Sequence, residues 1–175
     1  SISPATLETN SVYIYIPDEK LKIYGDLLRI ITAQSMEYFS SRPPENKQTI
    51  LFCLDEFASF GKLQIVESLR KLRKRRIRIL VLTQSVSDVD MIYGKDERKA
   101  MLGNFKFTVI LGCKDTETQE YFSKMIGEKR SLLATDPYQK PHPIIKPADL
   151  AHLEQDLFVI CDDGAIRLKK NFYFK

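Results

Sequence analysis

Apolar residues recur at two spacings along the chain, and their alternation predicts a repeated order of strand and helix. Short apolar runs of strand length are followed by longer segments in which apolar residues return every three or four positions. This order favours an α/β fold with a mostly parallel sheet flanked by helices. The predicted strands are Val12 to Ile16, Ile50 to Leu54, Ile77 to Thr83, Phe107 to Cys113, Leu157 to Cys161 and Ala165 to Phe174.

The helical pattern is longest after Pro17, where Asp18 can cap a helix from about Glu19 to Ser40. Shorter helices are predicted after Gly61, over Glu97 to Leu102, and after Asp115 or Thr116. The predicted buried face of the long helix comprises Leu21, Tyr24, Leu27, Leu28, Ile31, Ser35 and Tyr38.

The tail changes character after Thr135. Four prolines between Thr135 and Pro147 predict an extended surface connection over residues 135–148. Residues 149–175 are then expected to form a short helix and a terminal β-hairpin, because Asp162, Asp163 and Gly164 suit a turn with positive φ. The whole chain is predicted to be one compact domain.

Composition restricts the possible functions only a little. The 175 residues are 43% apolar, enough for one sizeable core, and the net charge of +4 is too small to indicate a nucleic-acid partner. Cys53, Cys113 and Cys161 form no CxxC pair, which favours a reduced cytosolic setting. No apolar stretch of about 18 residues occurs, so we expect no membrane contact by this part of the protein.

The candidate chemistry begins with two acids, Asp55 and Glu56, that follow the apolar run Ile50 to Leu54. A continuous apolar run is typical of a strand buried on both faces, and a parallel strand presents its carboxyl end to the ligand. Asp55 is placed to hold the water shell of Mg²⁺, and Glu56 to orient and deprotonate the water that attacks a γ-phosphate. The alternative is an acidic helix N-terminus with no catalytic role.

Gln84 extends this candidate site. It ends the next predicted strand, 28 residues after Glu56 (84 − 56), a spacing that fits one right-handed crossover between neighbouring strands. An amide beside the carboxylates can sense the γ-phosphate or the attacking water and pass the change to the segment from Ser85 to Tyr93. The alternative is a polar residue that ends a strand or caps the next helix.

A basic run fills six of the seven positions from 70 to 76. In a ring of subunits an arginine of this run can reach the neighbour's γ-phosphate, with Arg73 and Arg76 the candidates, and other cations can contact a nucleic-acid backbone. The alternative is a solvated cluster of cations at a helix C-terminus.

No G-x-x-x-x-G-K-[ST] phosphate loop occurs in the sequence, and Gly61-Lys62 is better interpreted as a turn before a helix. A nucleotidase needs backbone N–H groups to hold phosphates as well as a metal holder. We therefore expect this chain by itself to bind ATP poorly and to be inactive as an enzyme.

Several segments together resemble the C-terminal part of the TraG/TraD type IV coupling proteins. Residues 54–63 are LDEFASFGKL, residues 77–85 are IRILVLTQS and residues 92–95 are IYGK; Leu111-Gly112 and residues 127–129 follow in the same order. The resemblance covers most of the chain and is specific in its central block.

The resemblance implies a partial RecA-like P-loop NTPase domain that lacks the phosphate-loop half. It implies Walker B roles for Asp55 and Glu56, a sensor role for Gln84, and Mg²⁺ and ATP as cofactors of the full-length protein. It further implies a hexameric ring on the cytoplasmic side of the bacterial inner membrane, with the membrane anchor outside this chain. The implied partners are a relaxosome accessory protein or relaxase, DNA, and the type IV secretion channel.

The preferred hypothesis is a motor portion that couples ATP hydrolysis to delivery of relaxase-bound DNA or effector proteins. The main alternative is a non-catalytic docking module that recognises a relaxosome or substrate protein. A Mg²⁺-dependent nuclease using the acidic pair is the least favoured, because further clustered acids are lacking.

Overall fold

The structure is a computed structural model, and it describes residues 3–46, 48–129 and 141–174. Contacts within the chain divide it into two compact units. The first comprises Ser1–Gln84 and Asp88–Asn104, and the second comprises Ser85–Ser87 and Phe105–Lys175. The single compact domain expected from the sequence stays a prediction, and the two units are described in turn.

The first unit places a long helix before two parallel strands. Ile50 pairs with Ile77, and Leu54 pairs with Val81. The strand that precedes the acidic pair is therefore the direct neighbour of the strand that leads to Gln84. This pairing gives the predicted α/β arrangement. The elements are a 3-10 helix (Pro4–Glu8), α1 (Asp18–Ser40), β1 (Ile50–Leu54), a 3-10 helix (Phe57–Phe60), α2 (Ile65–Arg73), β2 (Ile77–Val81), α3 (Val86–Tyr93), of which Val86 and Ser87 are assigned to the second unit, and α4 (Lys95–Leu102).

The prediction that β1 is buried on both faces is wrong. Ile50 and Leu54 are buried, but Leu51 on the opposite face is 60% exposed. Leu80 of β2 is also exposed. In the described structure one face of β1 is therefore exposed, and a continuous apolar run here does not mean burial on both sides.

The buried face of α1 also differs from the prediction. Leu28 and Ser35 are buried as expected, whereas Tyr24, Leu27, Ile31 and Tyr38 are exposed. Small and polar residues occupy much of the true buried stripe, since the helix approaches its neighbours closely; a Cβ added at Gly25 would lie 3.0 Å from the Ser59 carbonyl oxygen. The stripe comprises Gly25, Leu28, Thr32, Ser35, Met36 and Phe39.

The predicted strand from Val12 to Ile16 is absent from the described structure. The residues form no regular element and are largely exposed, with Tyr13 at 92% and Tyr15 at 85% exposure. A β-rich composition expresses only a preference, and a strand forms when a neighbour accepts its hydrogen bonds.

The second unit is built on an antiparallel sheet in the order β3-β6-β7. The predicted terminal hairpin is confirmed by the pairing of β6 with β7. Residues 135–140 of the predicted proline-rich connection lie outside the described residues. The elements are β3 (Thr108–Ile110), α5 (Thr116–Ile126), β4 (Glu128–Lys129), β5 (His142–Pro143), a 3-10 helix (Pro147–His152), β6 (Asp156–Cys161) and β7 (Gly164–Lys169).

The core of this unit lies between one face of the sheet and α5. Ile110 and Phe158 from the sheet pack with Ile126 and the fully buried Leu150. The described helices of the two units include none that is both long and apolar enough to cross a lipid bilayer.

The sequence predicted Asp115 or Thr116 as the cap of α5, and the structure shows that Asp115 is the cap. Asp115 also binds Ser87, which belongs to the same unit. Its Oδ2 accepts hydrogen bonds from the Thr118 backbone N–H at 2.9 Å, the Thr118 hydroxyl at 2.6 Å and the Ser87 hydroxyl at 2.8 Å. Thr118 Oγ1 in turn accepts from the Val86 N–H at 2.9 Å. These bonds favour the ionised carboxylate, and the Thr118 and Ser87 hydroxyls are the main reasons that the pKa of Asp115 is lowered.

We expect Asp115→Asn to reduce the loss of stability at acid pH. Because folding lowers the Asp115 pKa, its contribution is complete above the ordinary value of 3.8 and is lost as the pH falls through the folded value. Asparagine keeps an acceptor but removes the charge. Urea unfolding followed by circular dichroism between pH 7 and pH 2 should show a smaller stability decrease for this variant than for the wild type.

The matched control is Asp162→Asn, in the exposed turn between β6 and β7. It should follow the wild-type profile. An Asp115→Asn profile that runs parallel to the wild type would contradict the assigned role.

Candidate functional site

The carboxyl ends of β1 and β2 are held together beyond the last paired residues. The Leu82 N–H donates to the Leu54 carbonyl at 3.0 Å, and the Phe57 N–H donates to the Leu82 carbonyl at 2.9 Å. The parallel hydrogen-bond ladder therefore continues past both strands. It brings the residues after β1 against the residues that lead to Gln84.

Glu56 and Gln84 meet at this edge. Gln84 Nε2 donates to Glu56 Oε1 at 3.0 Å, and both side chains are exposed to solvent. Glu56 has φ 49° and ψ 49°, a left-handed conformation that is uncommon for a residue with a side chain and that often occurs at functional sites. Convergence of the amide and the second acid is thus observed, while their chemical roles stay predictions.

Asp55 lies beside them with a different partner. Its Oδ1 accepts the Glu56 backbone N–H at 3.0 Å, which stabilises the turn at the end of β1. Across the described ranges, no group of three or more His, Cys, Asp or Glu side chains is arranged to hold a metal. A single exposed carboxylate nevertheless fits Mg²⁺, which retains waters and substrate phosphates as ligands.

A largely apolar cavity of about 460 Å³ opens beside the acids within the first unit. Its walls come from the segment before α1, from α1 and from β1, and Asp55 and Glu56 lie in its lining. The acidic pair therefore borders a concave surface as well as the strand edge.

The segment after Glu56 is fixed by an aromatic contact and a shared hydroxyl. Phe57 is fully buried and stacks on Tyr93, with ring centroids 5.3 Å apart. The Tyr93 hydroxyl donates to the Gly61 carbonyl at 3.2 Å and accepts from the Leu63 N–H at 3.1 Å. Lys62, between those two residues, forms an ion pair with Glu97 at 2.6 Å. Gly61 and Lys62 accordingly belong to the irregular connection that leads into α2, and the turn predicted there stays a prediction.

Burial raises the pKa of Tyr93 to about 12, so the hydroxyl remains protonated and able to donate at neutral pH. The sequence did not assign a role to Tyr93. The only signal was its place beside Gly94 in the IYGK segment.

The basic candidates lie at the other end of the same strands. Arg76 directly precedes β2, and its carbonyl accepts the Ile50 N–H at 3.2 Å, at the start of β1. Arg73 is the last residue of α2. A five-residue strand spans roughly 16 Å. The structure therefore brings neither arginine to the Glu56 and Gln84 of its own chain.

Two parallel strands with two carboxylates and an amide at their carboxyl ends fit part of a RecA-like α/β domain. Residues 49–155 match the family model described as the TraM recognition site of TraD and TraG. The chain therefore belongs to the TraG/TraD family of coupling proteins and matches its C-terminal region.

Individual relatives agree with this assignment. The chain is 23% identical to protein VirD4 of Agrobacterium fabrum over 93% of its length, and 29% identical to a probable conjugal transfer protein TraG of Sinorhizobium fredii over 90%. It spans 27% of the length of each. The plasmid coupling protein TrwB, in a structure with ADP and Mg²⁺, matches 86% of this chain and 39% of its own with a TM-score of 0.72 and 26% identity.

We expect Tyr93→Phe to destabilise the first unit by about 1–3 kcal/mol, because the Leu63 N–H loses its buried acceptor. The variant should also lose the part of the alkaline decrease in unfolding free energy that comes from ionisation of Tyr93. A raised folded pKa contributes stability that is complete below the ordinary value of 10 and is lost as the pH rises toward 12. Urea unfolding between pH 7 and pH 11 measures both effects.

Tyr13→Phe provides the control, since Tyr13 is 92% exposed. It should unfold like the wild type at every pH. Equal alkaline profiles for Tyr93→Phe and the wild type would refute the assignment of this pH dependence to Tyr93.

Proposed function

We propose that this chain is the part of a type IV coupling protein that supplies the hydrolytic side chains of an ATP-driven motor. The motor delivers relaxase-bound DNA or effector proteins to the secretion channel. The observation that supports this most directly is the 3.0 Å contact between Gln84 and Glu56 at the carboxyl edge of a parallel strand pair.

Glu56 is the general base in this proposal. Its carboxylate is exposed and accepts a hydrogen bond at one oxygen, which leaves the other to accept a proton from water. Gln84 orients that water or senses the γ-phosphate through its amide. Asp55 would hold Mg²⁺, which neutralises phosphate charge when bound. TrwB with ADP and Mg²⁺ supports nucleotide and metal binding by the full-length protein.

The two arginine candidates act in trans in this proposal. Acids and arginines lie at opposite ends of one strand pair, so one chain presents two different surfaces. Surfaces of that kind form head-to-tail contacts, which close into a ring when the rotation permits. In a hexamer, Arg73 or Arg76 would then stabilise charge at the neighbour's nucleotide.

The chain spans about a quarter of the length of its curated relatives. In this proposal the phosphate loop and the membrane anchor belong to the remainder of a full-length protein. The anchor would place this chain on the cytoplasmic side of the inner membrane. Contacts with DNA, with a relaxase and with the secretion channel belong to the same proposal.

A docking function is the second candidate, and the family model favours it by its description as a TraM recognition site. In that case the chain recognises a relaxosome accessory protein and takes no part in hydrolysis. The two functions are compatible in one full-length protein but make different demands on Glu56.

In a full-length protein, we expect Glu56→Gln to lower ATP turnover by about 10²–10⁴-fold, the usual contribution of a general base. Nucleotide affinity should change little, since the substitution removes a charge without changing side-chain length. Steady-state phosphate release and fluorescent-nucleotide titration measure the two quantities. Glu45→Gln, at an exposed loop position, should behave like the wild type.

If Glu56→Gln turned over ATP at a rate near that of the wild type, Glu56 would be removed from the mechanism. A parallel loss of affinity and turnover would instead indicate a binding role.

Capture of a purified accessory protein separates docking from catalysis. If docking is the function of this region, Glu56→Gln and the wild type should bind the accessory protein equally in a pull-down while ATP turnover differs. Loss of capture in the Glu56→Gln variant would contradict separate docking and hydrolytic surfaces.

A further inference from the structure

Arg42 is a buried cation near the amino ends of β1 and β2, on the side of the first unit where the basic run lies. Its side chain is 1% exposed. Nε and Nη2 donate to the two carboxylate oxygens of Glu8 at 2.9 and 2.7 Å. Nη1 donates to two backbone carbonyls, Gln48 at 2.8 Å and Arg75 at 3.0 Å.

These carbonyls belong to the residues that lead into the two strands. Gln48 lies shortly before β1 and Arg75 shortly before β2, so one guanidinium spans the amino ends of both. The Arg76 carbonyl completes the junction by accepting the Ile50 N–H at 3.2 Å. Arg42 thus fixes the path of the chain between α2 and β2.

That path includes an unusual backbone conformation. Arg76 has φ 59°, in the left-handed region, where glycine is the residue that fits without strain. A strained conformation persists only when surrounding contacts enforce it, and it is more frequent at functional positions. The bond from Arg42 to the Arg75 carbonyl is such a contact, one residue before the strained position.

Burying the positive charge of Arg42 near the basic run costs free energy. A guanidinium next to a run of six cations needs a counter-charge, which Glu8 supplies through two parallel hydrogen bonds. Well-packed apolar residues often replace a buried ion pair without loss of stability. The bonds from Arg42 to two backbone carbonyls give this arrangement a part in fixing local geometry.

We propose that Arg42 is a positioning residue for the trans-acting arginine. Through the Arg75 carbonyl it sets the direction in which the end of the basic run, with Arg73 and Arg76, reaches the nucleotide of a neighbouring subunit. The inference rests on the proposed function, because it requires an arginine to act across a subunit boundary.

The test uses mixed oligomers of a full-length protein. Arg42→Ala alone should lower ATP turnover by roughly 10²-fold, the loss expected when a catalytic group is misplaced by about 1 Å. Glu56→Gln subunits have an inactive site but an intact basic edge. Mixed in equal amounts with Arg42→Ala subunits, they should restore about a quarter of wild-type turnover, since half of the sites and half of the donors are intact.

A reference mixture identifies which claim fails. Subunits carrying both Arg73→Ala and Arg76→Ala, mixed with Glu56→Gln subunits, should recover to the same extent. If this reference shows no recovery, the trans-acting arginine itself is refuted. If the reference recovers and the Arg42→Ala mixture does not, the positioning role is refuted and Arg42 serves the fold or its own site.

Two further variants guard against misfolding. Glu8→Gln weakens the hydrogen bonds that hold Arg42, so it should lower ATP turnover less than Arg42→Ala does, and mixing with Glu56→Gln subunits should restore turnover in the same way. This variant replaces Arg42→Ala if Arg42→Ala fails to fold. If the turnover lost in Glu8→Gln is not restored by mixing, the proposal is refuted. Arg29→Ala is the matched arginine control, because Arg29 is 38% exposed and pairs with Asp26, three positions away, at 3.1 Å. Its turnover should equal that of the wild type.

Discussion

The candidate site depends on the hydrogen-bond ladder between β1 and β2, which continues beyond both strands through Leu54, Leu82 and Phe57. Without those two additional bonds the residues after each strand would be free to diverge. With them, an acid and an amide that are 28 positions apart in sequence (84 − 56) lie within 3.0 Å. Backbone hydrogen bonds therefore do the positioning, and the side chains can be chosen for chemistry.

The residues that make the LDEFASFGKL segment distinctive divide between chemistry and support. Asp55 and Glu56 are exposed at the strand edge, whereas Phe57 is buried against Tyr93. The Tyr93 hydroxyl binds backbone groups of Gly61 and Leu63, so the IYGK segment is hydrogen-bonded to the end of the LDEFASFGKL segment. Motifs far apart in sequence thus form one supported loop.

Each end of the parallel pair has its own fixing device. At the carboxyl ends it is the extended ladder, and at the amino ends it is the guanidinium of Arg42 on two carbonyls. Both non-glycine residues with positive φ among those described, Glu56 and Arg76, lie next to one of these devices. Local strain is tolerated at each place because neighbouring contacts specify the backbone.

The sequence by itself predicted the two strands that precede the acids and Gln84 and their parallel pairing, the terminal hairpin, and Asp115 or Thr116 as the cap of α5. Each rests on local spacing or turn chemistry that needs no distant partner. Tertiary structure alone decided which face of α1 is buried, that Val12 to Ile16 remains unpaired in the described structure, and that Arg42 reaches the Arg75 carbonyl. Those outcomes depend on close approach between segments distant in sequence, such as Gly25 against Ser59, and periodicity carries no information about which segments meet.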